Sequence, residues 1–208
     1  SDPYRLAYHF VSPESTLNDP NGLAFWQRRW HLFYQGYPPD EFPEARDRNE
    51  RRQHWGHAVS DDSIHWRDLP YAIYPGTEKM VFSGGTVVEK DRVVAFYPGI
   101  GTGEPSPESP EVRVGQMVAI SGDPLLLNWE KSGPATGMRG GDSDIWKEGD
   151  TYYGVIGGVE RYYPESKDVL IPPAVEYFQA LGVWPKWSLW ASKDLKTWQP
   201  RGELLLEK

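Results

Sequence analysis

Ser60-Asp61-Asp62-Ser63-Ile64-His65-Trp66 decides the fold, because the chain says it again twice. A second copy runs from Ser121-Gly122-Asp123 to Trp129, and the third is Ser192-Lys193-Asp194-Leu195-Lys196-Thr197-Trp198. A short aromatic strand and an alternating strand precede each copy, and the closing tryptophans lie 63 and 69 residues apart. A strand-built period of that size predicts radially repeated sheets, the blades of a β-propeller. Three copies are too few to close such a ring. The chain therefore reads as an all-β partial propeller, with blades at about residues 17–72, 80–134 and 139–206.

Working outward from the closing motifs, each repeat opens on a polar turn followed by apolar runs. The first begins with Asn18-Asp19-Pro20-Asn21-Gly22, then Leu23-Ala24-Phe25-Trp26 and Trp30-His31-Leu32-Phe33-Tyr34, which read as a hairpin. Trp55-Gly56-His57-Ala58-Val59-Ser60 is its third strand. The second opens with Phe82-Ser83-Gly84-Gly85-Thr86-Val87-Val88 and continues through Val93-Val94-Ala95-Phe96-Tyr97 and Gln116-Met117-Val118-Ala119-Ile120-Ser121. The third opens with Gly141-Asp142-Ser143-Asp144-Ile145-Trp146, then Thr151-Tyr152-Tyr153-Gly154-Val155-Ile156 and Trp187-Ser188-Leu189-Trp190-Ala191-Ser192. Residues 37–53 and 98–110 read as loops, and 157–185 as a long insertion with a short helix at 173–181.

With 38% hydrophobic and 25% charged residues, the composition is that of an ordinary soluble globular protein. A net charge of −8 argues against nucleic acid or an anionic membrane as partner. No apolar run is long enough to span a bilayer. Residues 1–10 lack the shape of a signal peptide. The absence of cysteine removes disulfides and thiolate sites and leaves the compartment open between exported and cytoplasmic. His54 and His57 are three apart without an evident third ligand, so no metal is expected. Most tryptophans read as blade packing, and Arg46, Arg48, Arg51 and Arg52 as a solvated loop.

In a propeller the first strand of each blade lies nearest the axis. Asp19, Ser83 and Asp142 hold matching places there, 47, 46 and 56 residues before their closing tryptophans. Two carboxylates and a hydroxyl, remote in sequence, would converge at one end of the channel, with the Asn18 amide beside Asp19. Alone, Asp-Pro-Asn-Gly is a favourable turn, with Pro presetting φ and Gly accepting a positive one. The strand-head position is what makes Asp19 a candidate.

From about residue 8 to 208 the chain resembles glycoside hydrolase family 32, the invertase, inulinase and levanase family. The likeness is carried in order by Asn18-Asp19-Pro20-Asn21-Gly22, Phe33-Tyr34-Gln35, Trp55-Gly56-His57-Ala58 and Phe82-Ser83-Gly84. It implies a five-bladed propeller and cofactor-free β-fructosidase chemistry on sucrose or a fructan. Asp19 would be the nucleophile, and Gln35, Trp55, Phe82 and Ser83 would shape the subsite of the terminal fructose. A retaining glycosidase needs a nucleophilic carboxylate and a carboxylic acid about 5–5.5 Å apart. Asp142 would stabilise the transition state, yet the family's Arg-Asp-Pro is Gly141-Asp142-Ser143 here, with Arg139 displaced. Asp144 is the alternative, because strand alternation puts both acids on one side. The family's acid/base Glu would fall past Leu206, on the fourth blade, and Glu203 and Glu207 read as solvated. Two other readings stand beside this one: a carbohydrate-binding propeller without catalysis, and a related hydrolase acting on another glycan such as an arabinoside. The remaining blades of the parent domain are the expected polypeptide partner.

Overall fold

The computed structural model describes residues 10–12, 17–38, 52–105, 113–138, 140–161 and 183–204. They form three antiparallel sheets. The first is β1 (Leu17–Trp26), β2 (Arg29–Gly36), β3 (His54–Ser60) and β4 (Arg67–Ile73), paired in chain order. The second comprises β5 (Met80–Val81), β6 (Gly85–Val88), β7 (Val93–Pro105), β8 (Arg113–Ser121) and β9 (Glu130–Ser132). The third is β10 (Gly141–Glu148), β11 (Thr151–Arg161), β12 (Val183–Ser192) and β13 (Gln199–Leu204), again in chain order. Strand β6 packs between β1 and β10, so the opening strands of the three blades are neighbours.

Burial explains which runs look continuous in sequence and which alternate. In β7, Val93, Ala95 and Tyr97 enter a core shared with the first sheet, alongside Ala24, Trp26, Phe33 and Trp55. Val94 and Phe96 point the opposite way, into a core shared with Ile145, Tyr152, Ile156 and Trp198 of the third. A strand covered on both faces carries an unbroken apolar run. In the first sheet β3 is buried on both faces as well, whereas β1 alternates: Ala24 and Trp26 are buried while Leu23 and Phe25 are 56% and 51% exposed.

The closing motifs adopt one recurring turn. Asp62 accepts hydrogen bonds from the backbone N–H groups of Ile64 and His65, and Asp194 from those of Lys196 and Thr197. The second copy is two residues longer between Asp and Trp, and Asp123 accepts from Leu125, Leu127 and Asn128. Ser63, Leu126 and Leu195 take φ values of 61°, 52° and 63°. The indole N–H of Trp66, Trp129 and Trp198 donates to the carbonyl of that same left-handed residue, at 3.2, 2.8 and 3.2 Å. Asp and Ser side chains thus satisfy the backbone where the strand stops. Leu126 and Leu195 are buried against the preceding sheet, whereas Ile64 beside Ser63 is 50% exposed.

Three readings of the loops change. β7 continues to Pro105 where the sequence suggests a loop from Pro98, because pairing with β8 and β5 sustains it: Gly99 faces Gly115, and Ile100 faces both Val114 and Met80. The opening strand of the second blade is split into β5 and β6, both on β7, so this sheet has five strands instead of four. The supposed insertion is shorter than residues 157–185, since Val159, Glu160 and Arg161 pair with Pro185, Trp184 and Val183. The helix read at 173–181 and most of the loop at 37–53 lie outside the described residues.

Candidate active site

Asp19 sits where β1 departs from regular pairing. Leu17 is opposite Gly36 and Pro20 opposite Tyr34, so Asn18 and Asp19 together face the single residue Gln35. A second shift follows between Asn21 and Ala24, and Gly22 there has a φ of 52°. Such bulges bend a strand and re-aim its side chains. Glycine is required, since a Cβ on Gly22 would stand 3.0 Å from both the Thr86 methyl and the Trp55 ring.

The second sheet supplies the partners of this segment. Ser83 Oγ donates to Asp19 Oδ2 at 2.8 Å, and the Gly22 N–H donates to the Gly84 carbonyl at 3.1 Å. Beneath them Trp55 is wholly buried, ringed by Phe33 and Tyr97, and its indole N–H donates to the Phe82 carbonyl at 2.9 Å. Trp55 therefore holds the Phe82–Gly84 strand-head from below. Phe82 is partly buried, its N–H tied to the Pro98 carbonyl. Asn18 and Asp19 are exposed.

Gln35 is 1% exposed, and among the described residues neither its carboxamide oxygen nor its nitrogen has a hydrogen-bond partner; the buried amide atoms of Asn21 likewise have none. Buried amides without partners are rare, because desolvation goes uncompensated. Asn21 on β1 and Gln35 on β2 thus place two such amides beside the Asp19 segment.

Asp142 is the extra residue of a third bulge: Gly141 faces Gly157, Ser143 faces Ile156, and Asp142 itself has a φ of 39°. Its approach is anchored by buried Gln116, whose Nε2 donates to the Gly140 carbonyl at 2.9 Å. Asp144 is also exposed, but its Oδ1 accepts the N–H of Ile145 and lies so close to Gly85 that a Cβ there would come within 1.9 Å. The two acids that sequence left equivalent thus differ in setting: Asp142 is projected by a bulge, and Asp144 is docked against the second sheet. Glu203 is exposed on β13, while Arg139 and Glu207 lie outside the described residues. Gln116 had no signal in the sequence, where it read as an ordinary strand residue, and Asn21 was read only as part of the Asp-Pro-Asn-Gly turn and its motif, with no role for its amide.

His57 pairs with His31 instead of His54, sharing a 3.0 Å hydrogen bond within the first sheet. Burial, with His31 adding to it, pushes the His57 pKa down to about 3, so the ring is neutral near pH 7 and stacks on Phe33. Among the described residues no group of three or more His, Cys, Asp or Glu side chains is placed to hold a metal. Among the described residues a cleft of about 700 Å³ lies elsewhere, between the β6–β7 turn and β10. It is bordered by an ion cluster in which Glu89 accepts hydrogen bonds from Arg92, Lys147 and Tyr152.

Three blades stacked about a common set of opening strands, with an acid held by a hydroxyl at the strand-heads, make up part of a β-propeller. The chain belongs to glycosyl hydrolases family 32: residues 9–165 match the model of its N-terminal domain. It is 35% identical over 158 residues to a sucrose-6-phosphate hydrolase of Escherichia coli, covering 72% of this chain and 31% of that protein. A levanase of Bacillus subtilis is 39% identical over 98 residues, which is 47% of this chain and 13% of the levanase. Among solved structures, a GH32 beta-fructofuranosidase of Bombyx mori superposes with a TM-score of 0.72 at 31% identity, over 97% of this chain and 38% of that one. The chain thus spans about a third of the length of the sucrose-6-phosphate hydrolase and of the solved enzyme.

Proposed function

We propose that the protein carrying this chain is a retaining β-fructosidase that releases terminal fructose from sucrose or a fructan. The observation that carries this reading is the 2.8 Å contact of Ser83 Oγ with Asp19 Oδ2, made at a bulge that lifts Asp19 from the head of β1. In the reaction the free oxygen of Asp19 attacks the anomeric carbon of the fructosyl unit. The glycosidic bond breaks, and its electron pair leaves with the departing oxygen. A carboxylic acid protonates that oxygen and then, as carboxylate, takes a proton from the water that cleaves the fructosyl ester. Ser83 orients the nucleophile. Gln35 and Asn18 offer amides to sugar hydroxyls, and Phe82, supported by Trp55, forms a wall. Asp142 accepts hydrogen bonds that strengthen as the oxocarbenium charge develops. The proton donor belongs to a part of the parent domain outside these blades, and the sheets that carry it are the partner proposed for this chain.

Asp19→Asn in the full-length protein keeps the shape of the side chain and removes the nucleophile. Hydrolysis of sucrose, inulin and levan is expected to fall on the order of 10⁴-fold or more, with the thermal midpoint retained. Near-parental turnover would refute the role of Asp19. A non-catalytic sugar-binding propeller remains the second reading, favoured by the altered Gly141-Asp142-Ser143; sugar binding by a full-length protein without turnover would establish it.

A further inference from the structure

We propose that Thr86 is a positioning residue for Asp19, acting through the backbone of Gly22. The inference rests on the β-fructosidase reading above. Between Asn21 and Ala24 the ladder with β2 is interrupted. Across that gap the Thr86 hydroxyl stands 3.2 Å from the Gly22 carbonyl and 3.4 Å from the Leu23 carbonyl. Its single proton is shared between two acceptors that the interrupted ladder serves poorly. Its methyl meanwhile closes the space where a Gly22 Cβ would be.

Thr86 is itself firmly held. It lies on β6 opposite Ala95, a fully buried residue of the strand sandwiched between both cores. Asp19-Pro20-Asn21-Gly22 is therefore fastened at both ends to the second sheet: at the carboxylate by Ser83, at the bulge by Thr86 and by the Gly84 carbonyl. Ser83 touches the reacting group, whereas Thr86 acts only through main-chain atoms three residues away. Loosening the bulge shifts Asp19 relative to Ser83, and nucleophilic attack is steeply sensitive to such displacement.

The test compares Thr86→Val, Thr86→Ser and Thr86→Ala in the full-length protein, by kcat and KM for sucrose and by thermal midpoint, with Asp19→Asn alongside. Valine keeps the branched shape and loses the hydroxyl. It should lower kcat about 10- to 100-fold with KM changed less than about threefold, and serine should recover kcat to within about threefold of the parent. Parental kcat in Thr86→Val beside an inactive Asp19→Asn overturns the proposal, as does a serine variant no better than valine. If the valine variant fails to fold, the serine and alanine variants decide it: a clear kcat advantage for serine supports the role, and equality removes it. An active Asp19→Asn overturns the reaction assignment, and the proposal with it.

Discussion

Asp142 carries its φ of 39° in a region that costs a non-glycine residue on the order of 1 kcal/mol, although Asp and Asn tolerate it best. It is exposed and lies at a bulge on an opening strand, the setting Asp19 also has. Asp144, two residues on, has a relaxed place against Gly85 and a bond to its own strand. Strain retained at one acid and absent from its neighbour supports Asp142 as the transition-state partner. Asp142→Asn should therefore lower kcat for sucrose about 10²- to 10³-fold with little change in KM. The thermal midpoint should hold, because asparagine accepts the same backbone geometry. Asp144→Asn should cost clearly less; the reverse order of losses would transfer the role to Asp144.

At the scale of the elements, the angle between the second and third sheets is guarded by Glu89 at the β6–β7 turn. Its carboxylate takes hydrogen bonds from Lys147 on β10 and Tyr152 on β11, besides its own neighbour Arg92. Burial alone would raise the Glu89 pKa; the hydrogen bonds from Lys147, Tyr152 and Arg92 outweigh it and bring the pKa down to about 2. The folded value lies below the usual 4.5, so the stabilisation is complete above pH 4.5 and is lost as pH falls toward 2. Its size is on the order of 2 kcal/mol, after discounting for water around Arg92, whose side chain is 38% exposed. Glu89→Gln should lower the thermal midpoint by about 4–8 °C at pH 7, a difference that narrows between pH 4.5 and pH 3. A gap that does not shrink with acid would show that the cluster contributes through packing, not charge.

For the molecule as a whole, the middle sheet packs between the other two, and each of those leaves apolar side chains exposed among the described residues. Leu23, Phe25 and Ile64 stand exposed on the first sheet, and Trp146, Trp187 and Leu204, each 37% to 51% exposed, on the third. The closing turns show what such faces are built for: Leu126 and Trp129 pack on the first sheet and Leu195 and Trp198 on the second, whereas Trp66 packs into neither described core and is only partly buried. Apolar faces of this kind favour association. Expressed as residues 1–208, the chain should form oligomers or aggregates by light scattering and show no sucrose or inulin hydrolysis. Co-expression with a polypeptide supplying the remaining blades should reduce the association. A stable monomer turning over near 1 s⁻¹, an ordinary enzyme rate, would mean that these blades contain their own proton donor.

The repeat was legible from sequence because its signals are local. Ser-x-Asp and Trp bond to backbone atoms within five residues of themselves, so their spacing alone announces the turn and hence the blade. The apolar run of β7 likewise declared a strand, since it is buried on both faces. Asp19, Ser83 and Asp142 were matched as strand-heads by counting back from each tryptophan, and Gln35 and Trp55 were named through motif likeness. What no local pattern encodes is how those heads meet. The Ser83–Asp19 and Thr86–Gly22 bonds each join residues 64 apart, and the bulges at Asp19, Gly22 and Asp142 are defined only against a partner strand. For the same reason β7 runs through Pro98 to Pro105: pairing with β8 and β5 outweighs the turn propensity of its prolines and glycines. Hydrogen bonds to nearby backbone are written in residue order, whereas the direction in which a carboxylate points is set by the sheet packed beside it.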